Sequence, residues 1–157
     1  MDDVIEAIRA LIDTADVSNT YKKIFYGQNK MPSQAKFPFI EVIPNGTTVE
    51  NKTTCGGIES TYQITINIKD TLKNFLTSDT NKEVIAATKA MVKKMEERDA
   101  NGTPKTTTIL GILIENLQLS STVHINDDWE IIYDESELAG SWILIASISF
   151  TAKRLTP

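Results

Sequence analysis

Between Ile58 and Lys69 the side chains alternate: Ile58, Tyr62, Ile64, Ile66 and Ile68 fall on one side of an extended chain, and Glu59, Thr61, Gln63, Thr65, Asn67 and Lys69 on the other. A period of two is a β-strand with one buried and one wet face, so an all-helical fold is excluded and the isoleucines need an apolar layer to pack on. Helices supply it. Val4, Ile5, Ile8, Leu11 and Ile12 recur at helical spacing behind Asp2 and Asp3, whose carboxylates complement an N-terminal dipole. A second helix is marked at both ends, by the capping-box sequence Thr80-Asn81-Lys82-Glu83 and by the stop Asn101-Gly102 with Pro104. Between them Val84, Ile85, Thr88, Met91, Val92 and Met95 form one stripe, and Lys82, Lys89, Lys93, Lys94, Glu96 and Glu97 form the solvated side.

The remaining segments read mostly as strands. Phe37-Pro38-Phe39-Ile40-Glu41-Val42-Ile43-Pro44 is a strand bracketed by prolines, which cannot donate to a ladder and so place it near a sheet edge. Tyr21 to Tyr26, ending at Gly27, fits a strand or a helix extension; Ile109, Leu110, Leu113, Ile114 and Leu117 fit a strand or a helical turn or two. Leu117, Leu119, Val123 and Ile125 alternate, the turn Asn126-Asp127-Asp128 precedes Trp129-Glu130-Ile131-Ile132-Tyr133, and a closing strand from Trp142 to Ala152 puts Trp142, Leu144, Ala146, Ile148 and Phe150 on one face. With neither a repeat nor a linker, the 157 residues make one domain, residues 1–157. The expected class is α+β: a mainly antiparallel sheet with two α-helices on one face and a long protruding hairpin or loop.

The chemistry that this sequence excludes is broad. A net charge of -5 disfavours sequence-independent binding to phosphate backbones. The start Met1-Asp2-Asp3-Val4 lacks the basic, then apolar, form of a secretory signal, and the apolar stretches Ile109 to Ile114 and Trp142 to Ile148 fall well short of the roughly 20 residues that span a bilayer. A cytoplasmic place of synthesis is expected. A single cysteine, Cys55, cannot form an internal disulfide or supply a multi-cysteine metal site, and the single histidine, His124, in a strand-like stretch beside Val123 and Ile125, reads as a surface or sheet-facing residue, since a base or ligand would need partners within reach. No nucleotide-binding glycine motif is present, since Gly56-Gly57 lacks the lysine and helix of a phosphate loop. No catalytic, cofactor or metal site is expected. The sequons at Asn45, Asn51 and Asn101 read as turn chemistry.

Two stretches stand out as interaction surfaces. Asn45 to Gly57 reads as a long polar excursion between two good strands, an extended hairpin with Asn45, Thr47, Glu50, Lys52, Cys55, Gly56 and Gly57 as candidate contacts. The acids Asp127, Asp128, Glu130, Asp134 and Glu135 crowd the turn after Ile125. Their spacing does not match a calcium loop, so a solvated hairpin tip or an electrostatic docking turn is expected there. Trp129 and Trp142 read as core aromatics or interface anchors.

A short N-terminal helix, the proline-bracketed strand Phe37 to Pro44, the polar excursion, the strand Ile58 to Ile68, one amphipathic helix and two or three closing strands come in this order. In that order the chain resembles the tail terminator, or tail completion, proteins of long-tailed bacteriophages. The resemblance implies a small α+β domain that closes the tail tube as a hexameric ring, ends tube polymerisation and forms the joint to the head and neck, with no catalytic residues. It implies as partners further copies of the chain, the tail tube protein, a neck or head-completion protein and, where the tail is contractile, the sheath protein. DNA would pass through the ring without specific binding, no membrane would be involved, and the site of action would be the virion after assembly in the host cytoplasm. Two other readings stand beside it: a head-tail adaptor or tube-like structural protein, and a small-ligand-binding domain or enzyme using a pocket between helix and sheet. The latter needs convergent polar groups in an apolar cleft.

Overall fold

The strand latest in sequence lies in the middle of the sheet. The computed structural model describes residues 1–16, 20–28, 37–52, 57–72, 80–138 and 141–156; the side chains of residues 51–52, 80–83, 138 and 141 stand outside that description. The elements in order are α1 (Asp2–Ala15), β1 (Ile24–Tyr26), β2 (Phe39–Lys52), β3 (Gly57–Thr71), α2 (Thr80–Glu96), α3 (Ile109–Glu115), β4 (Gln118–Ser120), β5 (Val123–Ile125), β6 (Glu130–Leu138) and β7 (Ser141–Thr156). β7 pairs along one side with β3, from Ile58↔Thr156 to Thr71↔Ile143. Along its other side it pairs first with β6 and further on with β5, which carries β4. β2 lies outside β3, and β1 adds a short parallel ladder to β2 from Ile24↔Ile40 to Tyr26↔Val42. Every other ladder is antiparallel, so the fold is the α+β class that the alternation of β3 predicts.

The predicted inward residues are inward. Tyr62, Ile64, Ile66 and Ile68 of β3 and Leu144, Ala146, Ile148 and Phe150 of β7 are buried in one cluster with Val4, Ile5, Ile8 and Ile12 of α1. Each valine, leucine, isoleucine or phenylalanine among them contributes on the order of 1.5–3 kcal/mol on burial. The two outermost residues of the predicted faces, Ile58 and Trp142, are exposed instead. Pro44 is accommodated in β2 because the register with β3 shifts between Pro44 and Gly46, a bulge that needs no donor from the proline. Asp16 closes α1: its carboxylate accepts from the backbone N–H groups of Thr20 and Tyr21 at 2.8 and 2.9 Å.

Several expectations need correction. The described residues hold three helices, because the ambiguous run after Thr108 folds as α3. Thr108 caps it, its hydroxyl oxygen accepting from Gly111 N–H at 3.1 Å, and Ile109, Leu110, Ile112 and Leu113 are all buried. Gly111 packs so close to the turn before α3 that an added Cβ would lie 2.0 Å from the Lys105 carbonyl oxygen. α2 ends at Glu96, short of Asn101-Gly102. That pair sits instead in a turn held by Asp99, whose carboxylate accepts from the N–H groups of Asn101 and Thr103, with Gly102 at φ +82. The α2 stripe is divided: Ala87, Met91 and Met95 face the core, Val84 and Val92 are half-buried, and Ile85 and Thr88 are exposed. Finally, Asn45 to Lys52 is strand and not loop, with Gly46 to Lys52 paired to Gln63 to Gly57. The two strands pair out to Lys52↔Gly57, and residues 53–56 between them lie outside the described residues.

Candidate functional site

The sheet face opposite the helix-packed core carries the second side of each strand. One corner is apolar: Phe37, Phe39 and Ile143 are buried together, with Phe25 edge-on to Phe39 at 5.5 Å between ring centres. Beside it Glu41 is fully buried, its carboxylate 2.9 Å from the Lys69 ammonium and 3.5 Å from Asn67 Nδ2. Asn67 Oδ1 is buried and accepts no hydrogen bond from the described residues. Farther along, a polar row crosses three strands. Asn45 Nδ2 donates to Thr65 Oγ1 at 2.6 Å, and the Thr65 and Ser149 hydroxyls lie 2.8 Å apart.

This face brings together residues from both predicted surfaces. Asn45, Gln63, Asp128, Glu130, Ser149 and Thr151 border an open hollow of about 230 Å³. Asp128 is a clamp within it: its carboxylate accepts from the backbone N–H and the hydroxyl of Thr151 at 3.1 and 2.9 Å, while Thr151 Oγ1 accepts from Asn126 Nδ2 at 2.6 Å. The hydrogen bonds of the row run from strand to strand, so its chemistry is that of a polar contact surface at strand spacing. Cross-strand contacts of this kind could have been found only with the register in hand, because nothing in the sequence links Asn45 to Ser149.

The remaining predicted hairpin residues are spread along a ribbon. Thr47 Oγ1 donates to Met1 Sδ at 3.9 Å, Glu50 lies opposite Glu59, Lys52 lies opposite Gly57, and Cys55 and Gly56 fall outside the described residues. An added Cβ on Gly57 would sit 3.2 Å from the Thr156 carbonyl oxygen, a close approach that favours glycine at this end of β3. From Ile43 to Lys52 the outer edge of β2 has no neighbouring strand among the described residues, since β1 reaches only Val42. Val49, Ile58 and Leu155 are exposed at this same end. The N-terminus of α1 is tied nearby: Asp3 bonds Arg154, which holds the Asp3 carboxyl below the usual carboxylate range, and Tyr26 Oη donates to Asp2 at 2.6 Å.

The acidic stretch is not the turn that was expected. Asp127 and Asp128 precede β6, whereas Glu130, Asp134 and Glu135 are within it, opposite Ser149, Ile145 and Leu144 of β7. Ile131 and Tyr133, between them, turn toward the core. Tyr133 ties this strand to α2 by donating to Glu96 at 2.6 Å; burial, and then that bond, push its phenol pKa up. Trp129 packs half-buried on Phe150 with ring centres 5.2 Å apart, and Trp142 is exposed, so the two tryptophans divide between core and surface. His124 is exposed on β5 opposite Lys153.

Among the described residues, no three His, Cys, Asp or Glu side chains are grouped to hold a metal ion. No described helix is long and apolar enough to cross a membrane. No family model matches the chain, and no curated protein matches it.

Proposed function

We propose that the chain is a structural subunit of a phage tail, a terminator that joins with its own copies in a hexameric ring on the tail tube, stops tube growth and offers the joint to the neck. The observation that supports this reading is the ribbon end of β2 and β3, where the β2 edge from Ile43 to Lys52, with no neighbouring strand among the described residues, lies beside the exposed side chains of Val49 and Ile58. A long strand edge with apolar neighbours is a template for another chain, and soluble proteins cover or blunt such edges. A contact between this end and a different part of the next copy is heterologous, and when its rotation closes it gives a ring. Such a ring offers two unlike faces, as a cap on a growing tube requires. The net charge of -5 keeps a channel through it from gripping DNA.

Electron microscopy of the purified protein mixed with tail tubes tests the reading: rings are expected at one tube end, and loss of the protein is expected to give overlong tails. Tubes left bare, with tail length unchanged by loss of the protein, would refute it. Tails of normal length that fail to join heads would favour the head-tail adaptor reading. Substituting Val49→Ser together with Ile58→Ser should leave the monomer folded and weaken ring formation at least tenfold, read by sedimentation on tube ends.

A further inference from the structure

A different edge of the sheet has the form of an acceptor groove for an extended peptide. β6 pairs with β7 on one side only; along its nine residues the other side has no strand among the described residues. α2 runs beside it, tied by the bond from Tyr133 to Glu96. Between them lies an open groove of about 280 Å³, bordered by Thr88 and Met91 of α2, Tyr133, Asp134 and Glu135 of β6 and Leu144 of β7. Thr88 also belongs to the apolar strip that α2 leaves uncovered, with Val84, Ile85 at 57% exposure and Val92. Strip, groove and unpaired strand edge are therefore continuous.

We propose that this groove accepts an extended segment of another protein as an added strand on β6, with apolar side chains at alternate positions and lysine or arginine at the positions between. Strand addition gives affinity through main-chain hydrogen bonds and specificity through the alternate side chains. Side chains of the added strand on the helix side lie against the exposed α2 strip, which favours apolar residues there. Lys89 and Lys93 border that strip and offset Glu135 and Glu137, which share this side of β6, so this side does not select cations as the opposite one does. Those on the opposite side meet Glu130, Ile132 and Asp134, where Ile132 is 52% exposed and the carboxylates select cations.

The charges on β6 decide the occupant. Glu130, Asp134, Glu135 and Glu137 are exposed and make no ion pair among the described residues. Charge on an edge strand deters pairing with its like. A second copy meeting the groove through its own β6 would set carboxylates against carboxylates, whereas a basic strand meets complementary charge. The inference rests on the assembly reading only in taking the occupant to be a companion protein, and the groove can be tested alone.

The probe is a synthetic octapeptide that alternates lysine with valine or isoleucine, titrated into the full-length protein while backbone amide shifts are followed by NMR. Saturable binding is expected, with shifts concentrated in residues 130–138 and 84–92. A peptide with glycine in place of the apolar residues, or glutamate in place of lysine, should bind at least tenfold more weakly. The double substitution Glu130→Lys with Asp134→Lys should leave the rest of the spectrum in place and cost at least tenfold in affinity. Absent binding, shifts elsewhere, or equal binding of the glycine peptide would overturn the proposal, as would an affinity unchanged by the double substitution. A groove that binds this probe in a protein that never caps tubes would leave the groove standing and remove the tail reading.

Discussion

α1 and α2 carry the same kind of apolar periodicity, and the fold uses them differently. α1 puts Val4, Ile5, Ile8 and Ile12 all into the core, whereas α2 commits Ala87, Met91 and Met95 and leaves Ile85 outside. The difference follows from what lies beneath each helix. α1 packs over β1 and β2 and against α3 and β4, so its stripe is enclosed from several sides. α2 packs beside α3 and over β7, and on its other flank Thr88 and Met91 border the open groove toward β6. A helical period therefore reports that a face is apolar, not that the domain itself has covered it.

The largest test of this contrast is Ile8→Ala, expected to cost about 3–4 kcal/mol in chemical denaturation because a fully enclosed site collapses poorly around the cavity. A cost under about 1 kcal/mol would show that α1 is not enclosed as described. Met91→Ala, on the committed side of α2 but bordering the groove, should cost less, about 2–3 kcal/mol. Asp3→Asn removes the partner of Arg154 at the start of α1 and should cost under about 1 kcal/mol, because the pair is solvent-exposed. The sign of its pH dependence is set by the lowered carboxyl: the stabilisation is present above the ordinary value near 3.8 and is lost as pH falls through the lower folded value. Acid titration of the wild type against Asp3→Asn should show curves that converge only at the acid end. Smallest of all, Ile85→Ala should change stability by no more than about 0.5 kcal/mol while weakening binding of the alternating lysine peptide. A large loss of stability there would mean that Ile85 is core after all.

Much of the fold was legible in the sequence because its longest strands have one dry face. The alternation of Tyr62, Ile64, Ile66 and Ile68, and that of Leu144, Ala146, Ile148 and Phe150, reports burial directly. Asn45 to Lys52 was illegible as strand for the opposite reason: at the ribbon end neither side of β2 needs to be apolar, and polarity alone reads as loop. Thr47, Thr48 and Val49, residues that favour extended backbone, were the available signal. α3 was ambiguous because it is buried on nearly every side, so Ile109 to Leu113 shows no period; Thr108 as a cap was the clue. The polar row from Asn45 through Thr65 to Ser149 and the pairing of α2 with β6 around a groove depend on register and packing between distant segments, which local pattern does not carry.

The central place of β7 has a consequence for how the chain comes to be folded. β6 and β7 form a local hairpin, but the ladder joining Ile64 to Phe150 and Ile66 to Ile148 closes across most of the polypeptide. Contacts this remote in sequence are slow to form, because loop-closure entropy is spent before any pairing repays it. During translation β3 therefore waits with one flank open until β7 emerges, and only then do the two halves share a ladder. The two halves of the sheet thus join only once β7 is available, and refolding should run in the millisecond-to-second range typical of such topologies.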